Sequence, residues 1–277
     1  MREIIRLCRQ YNIRLSKKLS QHFLHASHII DQEVSSANIC GHDVVLDIGA
    51  GFGFLTERLA EKAKKVYAVE IDKKLIRVLR NRLSKFITDG KVVLIEGDIL
   101  EIDLPSDVNK IVSNPPFHII SPILFRLAER YFGDPRFEVC VLIVQLDYAK
   151  KMAAKPGEKR SRLSATIQYF ANVELVSKIS RRNFFPVPDV DAALIRLIPH
   201  RRKHVVDFET FKRVATFLFS TPNRVLEKVL KKNLKKHASR VIRDLHDAEI
   251  DTRKRIRELT NEEIELIAKV MRRLSIL

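Results

Sequence analysis

Val44-Val45-Leu46-Asp47-Ile48-Gly49-Ala50-Gly51-Phe52-Gly53-Phe54-Leu55-Thr56-Glu57-Arg58-Leu59-Ala60 decides the fold class. The apolar run Val44 to Ile48 reads as a buried strand, the glycines break it, and the apolar spacing from Phe54 onward reads as a helix. A strand, a glycine turn and a helix are the opening of an α/β sheet whose ligand site lies at the strand ends. Gly49 and Gly51 permit positive φ and a close approach of backbone to a nucleoside-bearing cofactor. The Gly-x-Gly-x-Gly spacing lacks the wider interval to a third glycine that suits a pyrophosphate, so a cofactor without phosphates is expected.

Three further strands carry chemistry at their carboxyl ends. Lys65 to Asp72 ends in acids about 20 residues past the first strand, where a carboxylate grips ribose hydroxyls, and Glu70 is the expected ribose ligand. Val92 to Ile99 ends at Asp98, an acceptor suited to the cofactor's adenine amine. Ile71 and Ile99, beside these acids, complete the expected cofactor-binding set with Gly49, Gly51 and Asn114. Asn109 to Ser113 leads into Asn114-Pro115-Pro116-Phe117.

That tetrapeptide suits methyl transfer to an exocyclic amine. An adenine amine is a weak nucleophile because its lone pair is delocalised into the ring. Acceptors on its hydrogens favour a pyramidal nitrogen more in the transition state than in the ground state, and Asn114 Oδ1 and the Pro115 carbonyl supply two. Consecutive prolines hold these carbonyls rigidly and remove competing backbone donors. Phe117 offers a face on which a base stacks. Taken together, the four strand ends fit S-adenosylmethionine as cofactor, with Asn114, Pro115 and Phe117 as the catalytic set.

On these residues the chain resembles the small-subunit ribosomal RNA adenine dimethyltransferases of the KsgA type, in an archaeal-like form. Ser20-Gln21-His22-Phe23-Leu24 is similar to the family's Gln-Asn-Phe-Leu segment, which implies that His22 and Leu24 lie against the methionine end of the cofactor. Ser121-Pro122-Ile123, Gln145-Leu146-Asp147-Tyr148-Ala149, Lys155-Pro156-Gly157, Arg162-Leu163-Ser164 and Phe185-Pro186-Val187-Pro188-Asp189-Val190-Asp191 follow in the family's order. The resemblance covers residues 12 to 199 and implies that Phe185 stacks on the target base opposite Phe117. Two departures stand out. The family usually has Asn-Leu-Pro-Tyr or Asn-Ile-Pro-Tyr where this chain has Pro115 and Phe117, and often Glu where it has Asp47.

The expected fold is a Rossmann-like, seven-stranded S-adenosylmethionine-dependent methyltransferase core over residues 1–199, followed by a smaller basic α-helical RNA-binding domain over 200–277. The resemblance implies dimethylation of two adjacent adenines in a loop of 16S-type ribosomal RNA during ribosome biogenesis. Two alternatives are a large-subunit ribosomal RNA adenine methyltransferase of the same fold, and an assembly or transcription factor that binds RNA or DNA without catalysis.

Composition agrees with an RNA partner. Lys and Arg outnumber Asp and Glu 51 to 34, a formal net charge of +17, which attracts phosphate backbones. Arg201-Arg202-Lys203, Lys231-Lys232-Asn233-Leu234-Lys235-Lys236 and Arg253-Lys254-Arg255 crowd the last third. Apolar spacing from Phe208 to Phe219 and over Ile256 to Ile267 predicts helices there, and Ser220-Thr221-Pro222 reads as a helix start. No apolar run is long enough for a membrane span. The three cysteines are isolated and lack metal-ligand spacing, so a reduced, cytoplasmic compartment and no metal are expected. The expected partner is the small-subunit precursor particle, and the expected state is a monomer.

Overall fold

The computed structural model describes residues 1–15 and 22–276; Ser20 and Gln21 of the motif above lie outside the described residues. Helix α1 (Arg2–Gln10), strand β1 (Phe23–Leu24) and helix α2 (Ser27–Ser36) precede the alternating core. That core runs β2 (Val44–Ile48), α3 (Phe54–Lys62), β3 (Lys65–Glu70), α4 (Lys73–Arg82), α5 (Ser84–Thr88), β4 (Val92–Glu96), β5 (Lys110–Ser113), α6 (Ile120–Leu127) and β6 (Val139–Gln145). Then come α7 (Leu146–Ala153), α8 (Arg162–Phe170), β7 (Ala171–Ile179), β8 (Phe184–Phe185) and β9 (Ala192–Pro199). The chain ends in α9 (Phe208–Leu218), α10 (Leu226–Leu234), α11 (Ala238–Asp247) and α12 (Asn261–Arg273).

The expected seven-stranded sheet is present, in the order β4-β3-β2-β5-β6-β9-β7. Neighbours from β4 to β6 pair in parallel and β9 pairs antiparallel with β6. Its centre is apolar on both faces: Val45, Leu46, Ile48, Ile111, Val112 and Val139 to Val144 are buried. Such two-sided burial is what a helix-covered parallel sheet requires. The third strand is shorter than its apolar run suggests. It stops at Glu96, where the last ladder bond runs from Gly97 N–H to the Glu70 carbonyl, and Asp98 sits in the loop beyond.

The chain forms two compact units, Met1–Ala149 with Asn172–His200, and Lys150–Ala171 with Arg201–Leu277. The helical unit takes in residues 150–171 as well as those after His200. The reason is apolar burial: Ala165 and Tyr169 of α8 share a core with Phe211, Leu218, Leu226, Val241 and Ile264. Asn261 reinforces this by donating to the Ala165 carbonyl at 3.0 Å. The helix expected to start at Pro222 begins instead at Leu226. Residues 222–226 are held as a turn and bridge by Ile256 N–H to the Arg224 carbonyl and Leu226 N–H to the Lys254 carbonyl, both at 2.9 Å.

At the amino-terminal ends of β2 and β5, a buried ion pair fixes the strands. Lys110 Nζ lies 2.9 Å from Asp43 Oδ2, with side chains 5% and 0% exposed. Asn109 Nδ2 donates to Asp43 Oδ1, and its Oδ1 accepts from Val44 N–H. Removing one member of such a pair strands the other charge in the interior. Lys110→Met is expected to lower unfolding free energy by about 3 kcal/mol in urea titrations. Cofactor affinity under native conditions should stay unchanged, because the pair lies at the opposite ends of the strands from the cavity described next.

Candidate active site

Two loops meet at the carboxyl ends of β2 and β5. The ladder between these strands pairs Val45 with Lys110 and Leu46 with Ile111 and goes no further. Beyond it the Ser113 hydroxyl takes over, accepting from Ile48 N–H at 3.1 Å and donating to the Ile48 carbonyl at 2.6 Å. This clasp sets Asn114 beside Gly49. Gly49 is at φ +71°, a left-handed backbone that strains any side chain, and a Cβ there would lie in contact with Pro116 Cδ at 3.4 Å.

The glycine loop is tied to the next strand through Glu70. Its Oε2 accepts from Gly51 N–H and its Oε1 from Ile71 and Asp72 N–H, each at 2.9 Å. Burial raises the carboxyl above its ordinary value against the opposing pull of those backbone donors. The loop carrying Asp98 and Ile99 is gripped from α6 by Arg126, whose guanidinium donates to the Leu100 and Ile102 carbonyls. Asp98 Oδ1 accepts from Leu100 N–H at 2.9 Å, which orients its carboxylate.

These loops wall a cavity of about 320 Å³. His22, Leu24, Gly49, Gly51, Glu70, Ile71, Asp98, Ile99, Asn114, Pro115 and Phe117 all line it, bringing together residues spread over nearly a hundred positions of sequence. The Asn114 amide has no hydrogen-bond partner among the described residues, so its oxygen is available to a ligand. His22 Nδ1 lies 2.8 Å from the Pro186 carbonyl; because a carbonyl only accepts, that nitrogen carries the hydrogen. The imidazole stacks toward Phe117, with ring centroids 6.4 Å apart.

Phe185 is not among the lining residues. Strands β1 and β8 pair Phe23 with Phe185 and Leu24 with Phe184, and alternation along the strand sends neighbouring side chains to opposite faces. Phe185 therefore packs toward Phe52, Leu75 and Ile4, while Phe184 meets Phe117 edge-on at 6.3 Å. Sequence reading also missed Ser113, Arg126 and Glu33. Glu33 sits on the buried face of α2, and both its carboxylate oxygens lack a partner.

Glu33, Asp47, Glu70 and Asp98 line the cavity, with no lysine or arginine among the described residues of its walls. Such a surface repels a polyphosphate and favours a ligand that carries positive charge. Ile71, Ile99 and Leu100 add apolar contact for a nucleobase. S-adenosylmethionine, which carries a sulfonium, an ammonium and one carboxylate on a ribose and an adenine, brings a net positive charge that suits these acids. The one His/Cys/acid cluster among the described residues, Cys40, His42 and Asp43, is a different matter. Asp43 is already engaged by Lys110, Asn109 and Cys40 N–H, which makes the cluster structural.

Comparison with known proteins places this architecture. The family model described as ribosomal RNA adenine dimethylase matches residues 12–273. A probable ribosomal RNA small subunit methyltransferase A of Pyrococcus abyssi is 35% identical, over 96% of this chain and 95% of its own. The protein of the same description from Thermococcus onnurineus is 38% identical, over 96% of each chain. Among solved structures, a dimethyladenosine transferase from Plasmodium falciparum superposes with a TM-score of 0.81 at 25% identity, covering 92% of this chain and 98% of that one. The 23S rRNA methyltransferase ErmE does so at 0.71 and 25% identity, covering 90% and 99%.

Gly51, at φ +59°, would place a Cβ 3.0 Å from the Phe23 ring on the cavity wall. Gly51→Ala is expected to cost about 1–2 kcal/mol of stability from the left-handed backbone. It should also weaken S-adenosylmethionine binding by about tenfold, roughly 1.4 kcal/mol, because the added Cβ displaces the Phe23 ring on the cavity wall. Thermal melts and calorimetric titration check the two effects separately.

Proposed function

Because the chain belongs to the ribosomal RNA adenine dimethylase family, we propose that it dimethylates the exocyclic amines of adjacent adenines in a loop of small-subunit ribosomal RNA, with S-adenosylmethionine as methyl donor. The observation that carries the reading is the cavity itself. One wall holds acids and glycine backbone suited to the cofactor, and the other holds the unpartnered Asn114 amide beside Pro115 and Phe117.

When bound, S-adenosylmethionine supplies an electrophilic methyl group. His22, Leu24, Gly49, Gly51, Glu70, Ile71, Asp98 and Ile99 hold it, Glu70 at the ribose and Asp98 at the adenine. Asn114 Oδ1 and the Pro115 carbonyl accept the target amine's two hydrogens and localise its lone pair. Phe117, braced between His22 and Phe184, presents a face for the base. Once alkylated, the nitrogen is acidic enough to lose a proton to water, so positioning suffices without a dedicated general base. The monomethylated amine keeps one hydrogen for a single acceptor, and the second transfer needs room for the first methyl beside Asn114.

A paired adenine cannot enter such a pocket, so the target is unstacked. On the helical unit Lys232, Lys235 and Lys236 are exposed and without an ion-pair partner among the described residues, a surface for the RNA backbone. By contrast, Arg202 pairs with Glu262 and Glu265, and Lys254 with Glu263, which removes part of the basic sequence from that role. The small-subunit precursor, met in the cytoplasm by a monomeric enzyme, is the substrate in this reading. The likeness to ErmE, whose name gives it a 23S rRNA substrate, makes the large subunit the comparison to run.

With unmethylated small and large subunits as separate substrates, dimethyladenosine should form only in the small-subunit RNA, as read by nucleoside mass spectrometry. Asn114→Ala should lower kcat by about 10²–10³, the scale of one transition-state hydrogen bond, with S-adenosylhomocysteine affinity nearly unchanged. Equal losses in both would remove Asn114 from the amine-holding role. Replacing Lys232, Lys235 and Lys236 with glutamine should weaken RNA binding across sequences and reduce the salt slope by roughly 0.7–0.9 for each phosphate no longer neutralised.

A further inference from the structure

Glu33 has no evident place in the folding of this chain. The buried face of α2 consists of Ile29, Ile30, Glu33 and Val34, so an apolar side chain at this position would complete it. Instead a carboxyl group is 0% exposed, and neither oxygen meets a hydrogen-bond donor among the described residues. Leaving such a group unsatisfied is among the costlier things an interior can hold. It lines the same cavity as the predicted cofactor ligands, and the charge of Asp47 acts on it.

The acids of the cavity follow the strand order. Asp98 lies past β4, Glu70 ends β3 and Asp47 lies in β2, with Glu33 on α2 and Asn114 past β5. If Asp98 and Glu70 take the nucleoside, the amino-acid end of the cofactor falls toward β2 and α2. That end carries an ammonium group, and Asp47 has one donor on it, Thr56 Oγ1 at 2.6 Å.

We propose that Glu33, together with Asp47, binds the α-ammonium group of S-adenosylmethionine, and that Glu33 releases a proton to solvent when this cation arrives. The inference rests on the methyltransferase reading above and adds a ligand to it. The proton balance is simple: a neutral Glu33 carboxylic acid and an incoming ammonium become a carboxylate–ammonium pair, and one proton passes to the buffer.

The surroundings support the neutral starting state. Burial, reinforced by Asp47, holds Glu33 well above the ordinary carboxyl range. Asp47 is pushed up to about 7 by burial, opposed by the Thr56 hydrogen bond and assisted by Glu70. Helix α2 packs on α3 and β6. From α3 the polar group facing inward is Thr56, while Arg58 pairs with Asp31 and Glu61 at the surface. Strand β6 presents the apolar side chains Val139, Val141 and Ile143 to α2, and alternation sends Cys140 to the other face of the sheet. Across the cavity the remaining titratable groups are Glu70, Asp98, His22 and His118. Among the described residues, no lysine or arginine lines the cavity to neutralise Glu33 before the ligand does.

Calorimetric titration of the full chain tests this without turnover. S-adenosylhomocysteine carries the same ammonium and lacks the sulfonium, and 5′-methylthioadenosine lacks the amino-acid end altogether. At about pH 8, where Asp47 is already ionised, binding heats are measured in buffers of different ionisation enthalpy. The wild-type chain should release protons on binding S-adenosylhomocysteine and none on binding methylthioadenosine. In Glu33→Gln the release should vanish and S-adenosylhomocysteine affinity fall by about ten- to a hundredfold, with methylthioadenosine affinity unchanged. A wild-type heat independent of buffer, or a release that persists in Glu33→Gln, would overturn the proposal and leave the cofactor reading standing. Failure of S-adenosylhomocysteine to bind at all would remove both. Should Glu33→Gln fail to fold, the wild-type contrast between the two ligands decides alone.

Discussion

Everything the site does depends on how β2 and β5 part company. In a parallel sheet the crevice opens where neighbouring strands lead their connections to opposite faces, and here that point lies between β2 and β5. Parting exposes backbone groups that the ladder would otherwise pair, and buried groups of that kind must find partners. Ser113 answers both needs of Ile48 with one hydroxyl, accepting from its N–H and donating to its carbonyl. The strands can therefore diverge without an orphaned peptide group, and Asn114 emerges at the lip of the cofactor cavity instead of within the sheet. A residue with no hydroxyl at position 113 would leave Ile48 unpaired and force the strands either to close or to admit water.

Electrostatics builds on that geometry. Acids converge on a space that no described lysine or arginine lines, and burial raises three of them, Glu33, Asp47 and Glu70, above their ordinary values. A carboxyl raised by folding binds a proton more tightly in the native state than in the unfolded chain. Between the two pKa values the native state holds more protons, so stability falls as pH rises through that interval. These groups thus weaken the fold near and above neutrality unless a cation joins them. A fold that concentrates such groups at one cavity gains from its ligand what it loses in isolation, which links cofactor occupancy to stability.

Much of this was legible in the sequence because the responsible features are local. The strand–glycine–helix pattern at Val44 to Ala60, the acid at Glu70 and the Asn114 tetrapeptide each carry their meaning within a few residues, and strand order brings them together. What was not legible depended on partners far away. Glu33 looked like any polar position in a short helix until its face was known to be buried. Arg126 gained its meaning only when its guanidinium reached Leu100 and Ile102, and the parity of β8 decided that Phe184, not Phe185, would approach Phe117. The grouping of residues 150–171 with the helical unit was hidden for the same reason, since Tyr169 finds Phe211 across a long stretch of intervening chain.

The departures at positions 115 and 117 follow from the same packing. A second proline beside Pro116 deprives residue 115 of an N–H that would otherwise compete for the target amine's acceptors. Gly49 lies in contact range of the pair, and Pro115 is buried. Phe117, flanked by His22 and Phe184, needs stacking surface and shape there more than a hydroxyl. A tyrosine oxygen would require a partner of its own wherever the ring is covered by substrate. The tetrapeptide therefore retains the two acceptors and the ring face that amine methylation needs, while the rigidity of the loop passes from side-chain packing to the proline rings.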